Sequence, residues 1–186
     1  MPIIDATPPA ETPITLEDAR VQCMLDADIT DEDGLIESYI KSAMLFCEGR
    51  MNRPIIRQEK QYVGEFKSSI ELTPNLLTVE SVDYLNTSGE KVTLPAANYF
   101  INTAEIVGKV QLLMSVPAVK TPHPQPVTIN FTCGYGAAED VPDDIKQAIR
   151  LLVGHWFRNR EAAGAVAGEV EFSVSSLLSN YRVLEV

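Results

Sequence analysis

The two ends of the chain repeat their apolar residues at helical spacing, and the stretch between them alternates in steps of two. After Thr30, the residues Ile36, Tyr39, Ile40, Ala43, Met44, Cys47 and Met51 fall at offsets 0, 3, 4, 7, 8, 11 and 15, which places them on one face of an α-helix. Leu35, Leu45 and Phe46 widen that stripe, so the helix is expected to be covered on more than one side. Thr30 supplies an N-cap, Asp31, Glu32 and Asp33 suit the first turn, and Pro54 stops the helix. A second stripe runs through Ile145, Ala148, Ile149, Leu152, Val153, Trp156 and Phe157 behind Val141-Pro142-Asp143-Asp144. Proline suits the first helical turn, and the two acids complement the dipole. A shorter helix is predicted over about 16–25, capped by Thr15, with Leu16, Ala19 and Cys23 inward.

Between about 55 and 133 the β-formers rise, and Pro, Gly and Asn recur at intervals. Short strands are predicted over 58–66, 76–85, 91–94, 99–101, 107–113 and 127–132, with Asn86-Thr87-Ser88-Gly89 as a hairpin loop. Thr121-Pro122-His123-Pro124-Gln125-Pro126 reads as a stiff extended linker, and Cys133-Gly134-Tyr135-Gly136 as a turn that needs positive φ. Residues 1–13, acidic and carrying four prolines, read as a flexible arm. Ala162 to Gly168 reads as a mobile hinge, Val170 to Val174 as a strand, and Ser175 to Tyr181 as a short helix. The expectation is an α+β fold in one domain over 14–186. Its helical core comes from 14–54 and 140–186, with a small antiparallel β lobe inserted at 55–133.

Charge narrows the function. The chain holds 15 basic and 26 acidic residues, a net charge of −11. Residues 1–50 carry 3 basic and 11 acidic residues, against 12 and 15 in 51–186. Binding to nucleic-acid phosphates needs clustered cations, and no such cluster is present, so a helical DNA-binding regulator is disfavoured. An acidic surface instead lets DNA pass without sticking. Cys23, Cys47 and Cys133 are odd in number and far apart, and suggest neither a disulfide framework nor a zinc site. No apolar run approaches the length of a membrane span, and no signal peptide is evident; a protein made in the cytoplasm and free of membranes is expected.

Candidate chemistry is sparse. Asp26, Asp28, Thr30 and Glu37 sit at four calcium-loop positions, but the glycine position holds Asp31. Helix caps explain these acids better. His155 and His123 are isolated, and no nucleophile or phosphate-loop signature occurs. Neither catalytic residues nor a cofactor or metal site is assigned. Trp156 is expected to finish a core stripe, while Arg158, Arg160 and Glu161 cluster at the helix end before the glycines and are assigned to partner contacts.

Three blocks carry a resemblance. The first is Ile14-Thr15-Leu16-Glu17-Asp18-Ala19-Arg20 leading to Asp31-Glu32-Asp33-Gly34-Leu35-Ile36, Ala43 and Arg53-Pro54. The second is Phe131-Thr132-Cys133-Gly134-Tyr135-Gly136 with Val141 through Ile149. The third is His155-Trp156-Phe157-Arg158-Asn159-Arg160-Glu161, with Leu177-Leu178-Ser179-Asn180-Tyr181-Arg182 at the end. In that order they resemble the head–tail connector, or adaptor, family of tailed bacteriophages, in a longer form with a β insertion. The middle of the chain matches only in general character.

The resemblance implies a structural, non-enzymatic neck protein of a phage or prophage virion, made in the host cytoplasm. It implies a ring of copies, twelve when assembled, that docks under the portal and extends the DNA channel. The ring would give a platform to the next neck or tail-completion protein, with DNA passing through unread. Tyr181 and Arg182 join Arg158, Arg160 and Glu161 as the expected assembly interface. The alternatives are a tail-completion or stopper protein of the same neck, and a small enzyme with its site in the β lobe.

Overall fold

The computed structural model describes residues 3–26, 28, 30–160 and 167–184. Its class is α+β, as the sequence predicts, with four α-helices and two antiparallel sheets among the described residues. The chain divides into two compact units. A helical unit comprises Glu11–Ile56 and Gly136–Val186, and a β unit comprises Met1–Ala10 and Arg57–Tyr135.

The helical unit is built from α1 (Leu16–Cys23), α2 (Asp33–Met51), α3 (Asp143–Arg158) and α4 (Ala167–Leu178). Thr15 caps α1 reciprocally with Asp18: its hydroxyl accepts from the Asp18 N–H at 3.0 Å, and the Asp18 carboxylate accepts from the Thr15 N–H at 3.1 Å. Those bonds from the Thr15 backbone and hydroxyl hold the Asp18 carboxyl below its usual range. α1 ends sooner than expected, because Met24 turns left-handed at φ 59°. Thr30 does not cap α2. Its carbonyl is engaged in a turn, accepting from Asp33 N–H at 3.1 Å, and the helix opens at Asp33 with Glu32 in the cap position.

The predicted stripe of α2 buries Ile36, Ile40, Ala43, Met44, Cys47 and Met51, and α3 buries Ile145, Ala148, Ile149, Leu152 and Val153. Burial pushes the Cys47 thiol up to about 12, so it stays protonated and inert. Val170 to Val174, expected as a strand, lies instead in α4. Val174 and Leu178, four residues apart on one helical face, are buried there. The β-branched composition pointed to a strand, and the four-residue spacing prevailed.

The β unit holds β1 (Ile3–Thr7), β2 (Gln58–Gly64), β3 (Ser69–Pro74), β4 (Leu76–Leu85), β5 (Lys91–Thr93), β6 (Tyr99–Asn102), β7 (Val107–Leu112) and β8 (Val127–Cys133). They form a five-stranded sheet, β1-β2-β8-β4-β5, and a three-stranded one, β3-β7-β6. Strand β8 is central, paired with β2 from Gln58↔Cys133 to Gly64↔Val127 and with β4 on its other side. Its alternation sends Val127, Ile129 and Phe131 into a core shared with Tyr62 and Val82, and with Ile70, Leu72, Tyr99 and Val110 of the smaller sheet. The approach of β7 to β4 is close at Gly108, where any Cβ would fall inside the Leu76 side chain. The hairpin loop is as read: Asn86 Oδ1 accepts from the N–H groups of Ser88 (2.9 Å) and Glu90 (3.0 Å).

Two features of the β unit depart from expectation. Residues 3–7, placed in a flexible arm over 1–13, form strand β1 on the edge of β2, where Ile3 packs against the core and Asp5 pairs with Lys60 at 2.9 Å. Strand β3 went unpredicted, because only Ile70 and Leu72 of its six residues carry the alternation.

Candidate assembly surface

The residues assigned to partner contacts all belong to the helical unit, and α3 separates them. Arg158 closes that helix, its Nε donating back to the Gly154 carbonyl at 3.1 Å, a typical use of a cation at a helix C-terminus. Arg160 lies just beyond. Its guanidinium sits 4.8 Å over the Phe157 ring and pairs with the Glu32 carboxylate at the start of α2. Both arginines are exposed, and Arg160 is already held by two neighbours. Glu161 and 162–166 of the expected hinge lie outside the described residues; Ala167 and Gly168 belong to α4.

Tyr181 lies at the other end of α3. Its hydroxyl donates to the Asp144 carboxylate at 3.1 Å, and a 16-residue helix runs about 24 Å from end to end. The following tail is pinned again at Val183, whose N–H reaches the Met51 carbonyl at 2.8 Å while its carbonyl accepts from the Asn52 amide at 3.1 Å. Arg182, between these two anchors, is exposed. The five predicted positions therefore do not converge on one patch: two mark one end of α3, two the opposite end, and the fifth is undescribed.

Trp156, expected in the core, is half-buried. It meets Tyr39 and Phe46 of α2 edge-on, at 6.1 and 6.4 Å between ring centres, and Arg50 lies 5.1 Å over Phe46. This aromatic group seals one side of the α2–α3 contact. Leu45, read as widening the buried stripe, is 61% exposed, and Val21, Met24 and Phe172 are more exposed still. Sequence reading did not single out those three. Met24 and Val21 could have been found as apolar residues off the α1 stripe, whereas Phe172 was hidden by the assignment of its segment to a strand.

In the β unit one group of polar side chains forms a connected network. On the sheet face opposite the core, Gln61 donates to Asn130 (2.6 Å), Asn130 to Ser81 (2.8 Å) and Ser81 to Asp83 (3.0 Å). Thr93 donates to the same Asp83 at 2.6 Å, and Lys91 pairs with it at 3.1 Å. Burial alone would raise the Asp83 carboxyl, but the bonds from Thr93, Lys91 and Ser81 outweigh it and hold the group below its usual range. An acid so placed is a structural knot rather than a poised base. Among the described residues, no group of three or more His, Cys, Asp or Glu could hold a metal ion, and no helix is long and apolar enough to cross a membrane.

With this geometry in view, a family described as head completion protein matches residues 14–174. No curated protein matches the chain. Among solved structures, a chain of the neck of an empty GTA particle, computed with C6 symmetry, superposes with a TM-score of 0.84 at 22% identity, over 100% of this chain and 97% of that one. A chain of the virion of a native gene transfer agent particle gives 0.82 at 22% identity, and one from the neck of a native GTA particle, computed with C12 symmetry, gives 0.75 at 21%, with the same coverage. At these identities the likeness is one of fold, and it extends over both units.

Proposed function

The chain belongs to the head completion protein family, and from that premise we propose that it is a structural adaptor of the neck of a tailed phage or phage-like particle. Copies form a ring under the portal, extend the channel through which DNA passes, and present a platform to the next neck or tail protein. The observation that carries this reading is the family match over 14–174, supported by whole-chain likeness of fold to chains from particle necks reconstructed with sixfold and twelvefold symmetry.

The physical character of the chain agrees with that role. Its net charge of −11 repels DNA phosphates, so a channel lined by many copies would let the duplex slide without adhering. Exposed Met24, Leu45 and Phe172 give the helical unit apolar contact points of the kind that ordered assembly covers. The interlocked polar network of the β unit leaves Asp83 fully engaged, which favours a scaffold over a catalytic site in that lobe.

Negative-stain imaging of the purified protein, alone and mixed with its candidate portal ring, tests the proposal. The expected result is a ring, or an added layer on the portal with the ring's symmetry. A persistent monomer that ignores the portal would overturn it. A ring that binds only to a preassembled neck, and never to the portal alone, would make the protein a tail-completion or stopper component instead.

A further inference from the structure

Strand β1 is a lightly held edge strand of the β unit. Four of its five residues are exposed and only Ile3 reaches the core. Its ladder to β2 runs Ile3↔Tyr62, Ile4↔Gln61 and Asp5↔Lys60, then slips before Thr7↔Glu59. Beyond that ladder it is fastened by the Asp5–Lys60 ion pair and by the Thr7 hydroxyl donating to Glu59 at 2.9 Å, both at the surface. Strand β2 does not depend on it, being paired along all seven residues with β8. Take β1 away, and β2 presents an unpaired row of N–H and C=O groups, the kind of edge that recruits a strand from another chain.

The tether favours such recruitment. Pro8 and Pro9 follow β1 directly, and the next anchor is Glu11, whose carboxylate accepts from the Ala138 N–H at 3.0 Å in the helical unit. Two prolines stiffen this short connection, and short hinges are where strands exchange between copies.

Resting on the ring reading above, we propose that β1 pairs in trans in the assembled ring: the Ile3–Thr7 strand of each copy lies on the β2 edge of its neighbour. The occupant is a second copy of this chain, because exchange reproduces the contacts of β1 with β2 unchanged. The register, the Asp5–Lys60 pair and the Ile3 packing all survive; only the direction of the Pro8–Ala10 tether differs. Ring formation supplies the neighbour at high local concentration, so an exchange too weak to hold two free monomers becomes effective once copies are side by side. The strand thereby links each copy to the next without any new surface.

Cysteine pairs across the ladder test this. Ile4 and Gln61 face each other, and facing residues of antiparallel strands lie within disulfide reach; the three native cysteines are buried. A tagged Ile4→Cys chain and an untagged Gln61→Cys chain are mixed and assembled, separated into ring and monomer fractions, and oxidised with diamide. The expected product is a disulfide-linked pair of unequal chains in the ring fraction and none in the monomer fraction. A second mixture, Thr7→Cys with Glu59→Cys, repeats the test at the other end of the strand and guards against a variant that fails to assemble. Rings that give no linked pair in either mixture, while both double variants on one chain link only within themselves, would overturn the exchange and leave the ring intact. Absence of any oligomer, including from unsubstituted protein, would overturn both.

Discussion

The two units carry charge in opposite ways. The helical unit holds 9 basic and 18 acidic residues, the β unit 6 and 8, so most of the excess negative charge sits in the helical unit. Part of it lies in exposed first turns, such as Glu17, Asp143 and Asp144, where the helix dipole favours it and water screens it. In the β unit the decisive acid, Asp83, is 4% exposed and tied to three partners on two strands. Charge in the helical unit is therefore available to the outside, while the β unit draws one acid, Asp83, into its internal order. The lesson concerns where partners are recognised: substitutions of polar groups should damage folding in the β unit and assembly in the helical unit.

Apolar truncation of the β unit gives the largest expected effect. Phe131 is fully buried at the centre of strand β8, and Phe131→Ala should cost about 4 kcal/mol, read as a lowered urea midpoint. The single tryptophan, Trp156, belongs to the helical unit and reports on it alone. The expected result is a calorimetric transition that falls while the fluorescence midpoint holds. Equal falls in both signals would reveal one cooperative fold and dissolve the distinction between the units.

Trp156→Ala comes next, at roughly 3 kcal/mol, the low end of a core truncation because the ring is half-buried against Tyr39 and Phe46. Far-UV circular dichroism during chemical unfolding checks it, and an unchanged midpoint would show that the ring's exposed side matters more than its packed one.

Asp83→Asn in the β unit should cost about 2 kcal/mol at pH 7, with a pH signature. The folded carboxyl titrates below its usual range, so the unfolded chain takes up its proton first as pH falls. The Asp83 contribution is complete above the unfolded carboxyl's pKa of about 4 and fades as pH drops through the folded one. The variant should lose that part of the acid slope. A melting profile from pH 7 to pH 2 with the same slope in both proteins would assign the acid sensitivity to other groups, Asp18 among them.

Helices α1, α2 and α3 were legible because their signals are local. The stripe of α2 and the stripe behind Pro142 place their buried residues from spacing alone, and the Thr15–Asp18 cap follows from two residue types three positions apart. Two of the three blocks that carried the family resemblance, and His155–Glu161 of the third, fall inside the matched span of 14–174, while the closing Leu177–Arg182 segment falls beyond it. The β unit was legible as strands and one hairpin but not as sheets, since pairing β1 with β2 joins residues more than fifty positions apart. The assembly surface was least legible. Arg158 and Arg160 are assigned from their place at a helix end, and Tyr181 and Arg182 through the resemblance; helix α3 carries Tyr181 to the Asp144 end and leaves the arginines at the other.

That separation sets the smallest effect on folding. Arg158 and Arg160 are exposed, and their bonds run to a helix-end carbonyl, a ring face and one surface acid. Exposed pairs of this kind contribute under about 1 kcal/mol, so Arg158→Glu with Arg160→Glu should move the urea midpoint little. If charge in the helical unit faces outward for assembly, the same double variant should fail to add a layer to the portal ring in negative stain. A Tyr181→Phe variant provides the internal comparison: it removes the bond to Asp144 at the far end of α3 and should leave docking intact. Docking lost in Tyr181→Phe but retained in the arginine variant would move the recognition surface to the Asp144 end of the helix.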